Sequence, residues 1–171
     1  MKTAPEDAAA IPTHPAFLEL QRFLDAQHVD YAQVENELVY QVRYPAKFLP
    51  LTCFAQIDPN WEQFAFYVLL PIRVREDLRL VFAEYLTRVN YGLRVGNFEM
   101  DFADGEVRYK SVISFKDEPL TQTWIRNAIL PAISTVDRCA PGFAKIIRGG
   151  KTAAEAFAEV EPGRALRDAK Q

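Results

Sequence analysis

The stretch from Asn97 to Lys110, NFEMDFADGEVRYK, constrains the fold more tightly than any other part of the chain. Asp104 and Gly105 are the residue types that a two-residue type I′ turn favours, because both tolerate positive φ. With that pair in the turn, antiparallel pairing sets Phe102 opposite Val107, Asp101 opposite Arg108, Met100 opposite Tyr109 and Glu99 opposite Lys110. Every pair matches in kind, apolar residues on one face and ionic pairs on the other. A slip of one residue would mix the two sets. Burial of Phe98, Met100 and Phe102 therefore selects the pairing, and ion pairs of about 0.2–1 kcal/mol each assist it. The stretch is a hairpin with one buried face, and not a catalytic loop.

Upstream of it, residues 75–91 carry the clearest helical signal: Leu78, Val81, Phe82, Tyr85, Leu86 and Val89 recur on one face. Burying such side chains is worth about 1.5–3 kcal/mol each, against a few tenths for a Glu84–Arg88 surface pair, so this face meets a core. Gly92 is placed to stop the helix in the left-handed conformation. An earlier helix spans 14–27, with Thr13 as N-cap, Pro15 in the first turn and Phe17, Leu20 and Leu24 on the inner side.

Three strands lie between these helices. Leu38, Tyr40, Val42 and Tyr44 alternate with Val39, Gln41 and Arg43, and Leu51, Cys53, Ala55 and Ile57 alternate with Thr52, Phe54 and Gln56. Residues 64–70, FAFYVLL, are apolar on both faces and need cover on each side. Downstream, a helix over 120–139 places Ile125, Ile129, Ile133 and Val136 on one side and kinks at Pro131. A turn or two from Pro141 to Arg148 and a short Ala-rich helix from Ala153 to Glu159 complete the chain, and Pro162-Gly163 ends order. The fold class is α+β, an antiparallel sheet of about five strands with helices in the order α-βββ-α-ββ-α. Residues 1–12 form a mobile segment, 13–148 a single domain and 149–171 a short helix and tail.

A chain of 171 residues fits one domain that buries about 70% of its unfolded surface. Hydrophobic residues make up 49% and charged residues 25%, a globular composition that needs no disulfide or metal staple. Cys53 and Cys139 lie far apart and outside metal or redox spacing, so they are expected as reduced core thiols of a cytoplasmic protein. The N-terminus, MKTAPEDAAAIP, is no secretory signal, and the longest apolar run, Phe64 to Ile72, is too short for a bilayer. No membrane partner is expected. A net charge of −3 argues against direct contact with nucleic acid.

Glu99 and Asp101 share a strand face, as the two carboxylates of a glycosidase do, but their expected partners are cations, which removes the desolvation a working acid needs. His14 and His28 flank the first helix and fit neither a metal site nor a triad. The string GGKT at 149–152 imitates the end of a phosphate-binding loop, yet Lys145 stands where its first glycine belongs. Helix-stop glycines followed by a Thr152–Glu155 capping box account for the same residues. The sequence therefore carries no catalytic, metal or cofactor-binding constellation; no enzyme activity and no cofactor are expected.

The run LTRVNYGLRVGNFEMDFADGEVRYKS, followed by a helix and GGKTAAEAFAEVE, resembles the YbjN family in its Asn-Tyr, Gly-Asn-Phe-Glu and Gly-Glu-Val-Arg-Tyr pattern. That resemblance implies a fold like the type III secretion chaperones and a dimeric, non-enzymatic protein binder or regulator. Asn90, Gly92, Gly96, Asn97 and Phe98, the positions that match, are read physically as helix-end and hairpin-start residues.

The expected function is a chaperone-like adaptor that dimerises and holds a segment of a client protein. The doubly apolar strand supports it, together with 12 phenylalanines, 7 tyrosines and 2 tryptophans. Phe54 and Phe66 are the expected client pockets, with Phe157 of the tail helix shielding the same surface. Leu80, Ala83 and Thr87, on the back of the second helix, are the expected dimer contact. Alternatives are a single-stranded nucleic-acid-binding barrel, with aromatics for base stacking, and a small-ligand pocket.

Overall fold

The computed structural model describes residues 14–47 and 50–161. Six strands form one antiparallel sheet: β1 (Asp30–Gln33), β2 (Val39–Tyr44), β3 (Leu51–Asp58), β4 (Gln63–Arg73), β5 (Asn97–Met100) and β6 (Glu106–Ser114), in the spatial order β1-β2-β3-β4-β6-β5. Four helices accompany it: α1 (Pro15–Gln27), α2 (Arg79–Asn90), preceded by a 3-10 turn at Glu76–Leu78, α3 (Gln122–Gly149) and α4 (Ala153–Val160). The α+β class holds, with one strand more than the sequence pattern shows. That strand, β1, reads DYAQ and buries none of its residues fully, so it lacks the apolar alternation by which strands are recognised.

The pleat sorts the sheet into two faces. Tyr40, Val42 and Tyr44 of β2, Leu51, Cys53, Ala55 and Ile57 of β3, and Phe64, Phe66, Val68 and Leu70 of β4 join the helix side chains in one core cluster. Phe17 of α1 stacks on Tyr40 at 4.2 Å, and Phe143 of α3 meets both Tyr85 of α2 and Phe98 of β5. Val39 and Ala65 are buried as well but belong to the opposite face and lie outside that cluster.

The 97–110 segment is the expected hairpin in a different register. The pairs are Asn97–Lys110, Phe98–Tyr109, Glu99–Arg108 and Met100–Val107, displaced by two residues from the sequence expectation. Because side chains alternate with period two, a slip of two keeps every residue on its face and every pair matched in kind. The matching test excludes odd slips only. Packing and the turn decide the rest. Phe98 and Tyr109 meet edge-on at 5.0 Å. Asp101 closes the loop: its side chain accepts the Ala103 N–H at 2.7 Å and its carbonyl the Gly105 N–H at 2.8 Å. Gly105, at φ 75°, lies against Val74, whose N–H donates to the Gly105 carbonyl at 2.9 Å, and a Cβ there would stand 2.1 Å from the Val74 oxygen. Phe102 thus loses its expected strand position and is 51% exposed.

Other boundaries shift for local reasons. The α1 cap that the structure describes is His14, whose Nδ1 accepts the Ala16 N–H at 3.2 Å; Thr13, residues 1–12 and Pro162-Gly163 lie outside the described residues. Gly92 does not take the left-handed conformation, and α2 ends at Tyr91 in right-handed geometry. The break expected near Pro141 is absent, since α3 runs unbroken through Pro131 and Pro141. Each proline removes one donor, but burial from Ile125 to Ile146 along one side outweighs two lost bonds. Pro71 sits in β4 where its register with β6 shifts, between Leu69 and Arg73, so its missing N–H breaks no ladder. Gly150 closes α3 left-handed, and Thr152 and Glu155 form the capping box of α4 as read from GGKT.

Candidate functional site

The four helices bury their apolar sides in the cluster on one face, and among the described residues the other face has no helical layer. Two rows of side chains cross it. One runs Gln41, Phe54, Tyr67, Lys110, Asn97, and the next Arg43, Thr52, Leu69, Arg108, Glu99. At the centre Phe54 and Tyr67 are cross-strand partners, both half-buried, beside Leu69 and the exposed Val112. The Arg108 guanidinium lies 5.1 Å from the centroid of the Tyr67 ring and donates to Glu99 at 2.8 Å. Lys110 Nζ stands 3.7 Å from the second Glu99 oxygen. A depression of about 500 Å³ opens between Gln56, Gln63, Tyr67, Asn97 and Lys110. Its polar lining is three amides, a phenol, an ammonium and the Asp58 carboxylate, beside Ala65 and Val112, a set suited to hydrogen bonding with a peptide backbone or polar side chain.

The carboxylate pair expected on one strand face is not reproduced. Glu99 keeps two cations, while Asp101 is spent on the hairpin loop and does not reach Arg108. Among the described residues no group of three or more His, Cys, Asp or Glu could hold a metal ion, and no helix is long and apolar enough to cross a membrane. Cys53 and Cys139 are free and buried, and burial pushes the Cys53 thiol up to about 12.

Three residues expected to meet a client divide between the faces. Phe54 lies on the uncovered face. Phe66, one residue along the pleat from the Tyr67 that pairs with Phe54, is fully buried under the helices, so the two cannot line one pocket. Phe157 is buried where α4 packs on α2 and α3, within the same core, and shields nothing on the uncovered side. Tyr67, Leu69 and Arg108 share the face with Phe54 and were missed as a set; the signal was the second apolar face of FAFYVLL. On α2, Leu80 is 78% exposed, Thr87 exposed and Ala83 half-buried.

The sheet's two edges differ. On β5 the Asp101 N–H donates to Glu106, so alternation turns the Phe98 backbone outward. There the Asn90 carboxamide takes both groups: Phe98 N–H donates to Asn90 Oδ1 at 2.8 Å and Asn90 Nδ2 donates to the Phe98 carbonyl at 3.0 Å. Gly96, at φ 68°, passes so close that a Cβ would sit 2.6 Å from the Lys110 oxygen and the Tyr109 ring. Asn90, Gly96, Asn97 and Phe98 are thus helix-end and hairpin-start residues that close this edge at Phe98, with Met100 left as its open outward residue. On β1 the Val34 N–H donates to the Val39 carbonyl at 2.9 Å, which by the same alternation turns the Tyr31 and Gln33 backbones outward. The two edges do not meet, so the closed barrel required by the nucleic-acid alternative is not formed.

No protein-family model matches the chain, and no curated protein does. Among solved structures, YbjN from E. coli, described as a proposed transcription regulator, is similar with a TM-score of 0.53 and 11% identity, over 72% of this chain and 90% of that one. At that identity the likeness is one of fold.

Proposed function

We propose that this chain is a non-enzymatic, regulator-like protein that holds a segment of a partner protein on the uncovered face of its sheet. The observation that carries the reading is the patch of Phe54, Tyr67, Leu69 and Val112, rimmed by Arg43, Arg108 and Lys110, on a face that no helix of the described residues covers. A bare sheet face of this kind exposes aromatic area to water, and aromatic and arginine residues together form the usual anchors of protein interfaces. The fold likeness to a proposed regulator agrees with such a role. The acidic net charge of −3 favours regulation through protein contact over direct tracking of phosphates.

The test is affinity capture from the native cell extract with the unaltered chain and with Phe54→Glu, which places a charge in the patch without entering the core. A partner retained by the first and lost by the second, with circular dichroism unchanged, supports the reading. Equal capture by both would move the site elsewhere, and a polynucleotide recovered in place of a protein would replace the partner class.

A further inference from the structure

We propose that two copies of this chain join through β1, antiparallel about a two-fold axis at Ala32, so that their sheets become continuous. The proposal rests on the contrast between the sheet edges and not on the reading of the uncovered face. On β5 the outward groups of Phe98 are taken by Asn90, which leaves Met100 as the single open outward residue, whereas no hydrogen bond of the described structure reaches the outward N–H and C=O groups of Tyr31 or Gln33, two successive outward positions on β1. An unsealed edge is a template for a further strand.

The chain's own β1 fits that template in one register. Outward residues must oppose outward residues, which restricts a two-fold arrangement to axes at Tyr31, Ala32 or Gln33. An axis at Gln33 would carry Tyr31 opposite Glu35, into a turn whose Asn36 has φ 58° and curls away. An axis at Tyr31 would pair Gln33 with Val29, which precedes the strand, and set two tyrosines against each other. With the axis at Ala32, Tyr31 opposes Gln33 of the second copy and uses both outward residues of each chain. The smallest side chain of β1 then lies on the axis. Asp30 falls opposite Val34 of the second copy and not opposite its own counterpart, while Arg43 of the same chain flanks it on β2. No like charges meet, and the uncovered faces of the two copies run into one another.

Two variants test the joint. Facing Ala32 positions form a pair whose Cα atoms lie about 4.5 Å apart, within the disulfide range of about 4.4–6.8 Å. Ala32→Cys under mild oxidation is therefore expected to yield a covalent dimer on a non-reducing gel, which the unaltered chain with its two buried cysteines does not form. Gln33→Pro deletes an outward N–H and leaves the bonds to β2 intact, so light scattering should fall from a dimer to the 19.5 kDa of one chain, with native circular dichroism. Should that variant fail to fold, amide exchange of Tyr31 and Gln33 in the unaltered chain serves instead, with slowing at high concentration expected. The proposal is overturned by a 19.5 kDa mass for the unaltered chain at high micromolar concentration, by the absence of cross-linking, or by a dimer that Ala83→Arg breaks and Gln33→Pro does not, which would place the contact on α2.

Discussion

The two faces of the sheet carry similar aromatic residues in opposite circumstances. On the covered face Phe64, Phe66 and Tyr109 are fully buried beneath α1, α2 and α3. On the other face Phe54 and Tyr67 are half-buried, and a guanidinium rather than a helix lies over the Tyr67 ring. Alternate residues of one strand, β4, thus serve stability and surface chemistry separately. An apolar residue in FAFYVLL is structural or available for contact according to its parity alone.

The largest effect that sharpens this contrast is expected from Phe66→Ala. Loss of a fully buried phenyl ring costs about 3–5 kcal/mol, read as a lower denaturant midpoint, while Phe54→Ala should cost no more than about 1 kcal/mol. Equal losses at the two positions would mean that the second face is covered in solution. Asn90→Ala comes next: it strips both partners from the Phe98 backbone, for about 1–3 kcal/mol, and should speed amide exchange in β5 before the rest of the sheet.

Alkaline pH probes the covered face alone. Burial raises the Cys53 thiol from 9.0 to about 12 and the Tyr40 hydroxyl from 10.0 to about 12. Each group is neutral in both states below its unfolded value. As pH rises above about 9, the unfolded chain ionises first and stability drains away until the folded value is reached, by up to about 1.4 kcal/mol per pH unit for the thiol. The midpoint of thermal unfolding should accordingly fall between pH 8 and pH 11, and Cys53 should resist a thiol reagent until the chain unfolds. A flat profile would contradict the burial of these groups. The smallest effect belongs to the uncovered side: Glu99→Gln with Asp101→Asn removes the ion pairs of Glu99 and keeps an acceptor for the Ala103 N–H, for about 1 kcal/mol or less, with partner capture retained. Loss of an enzymatic turnover on that change would overturn the non-enzymatic reading.

Legibility followed the range of the forces involved. Helical stripes such as Phe82, Tyr85, Leu86 and Val89, the strand alternations around Val42 and Cys53, and the Thr152–Glu155 cap were all readable, because each is set by neighbours within a few residues. So was the presence of an apolar surface beyond the core, in the second face of FAFYVLL. Which of Phe54 and Phe66 would carry that surface was not readable, because parity names two faces without saying which one the helices cover. The hairpin shows the same limit: period-two patterning allowed two registers, and contacts remote in sequence, Gly105 against Val74 and Phe98 against Phe143, selected one. The short strand β1 and the sealing of β5 by Asn90 likewise depend on backbone groups, which every residue carries alike. Side-chain chemistry within a few residues determined the elements and their apolar faces; only tertiary packing decided the register, the bare face and the open edge, since each of those is a relation between segments far apart in the chain.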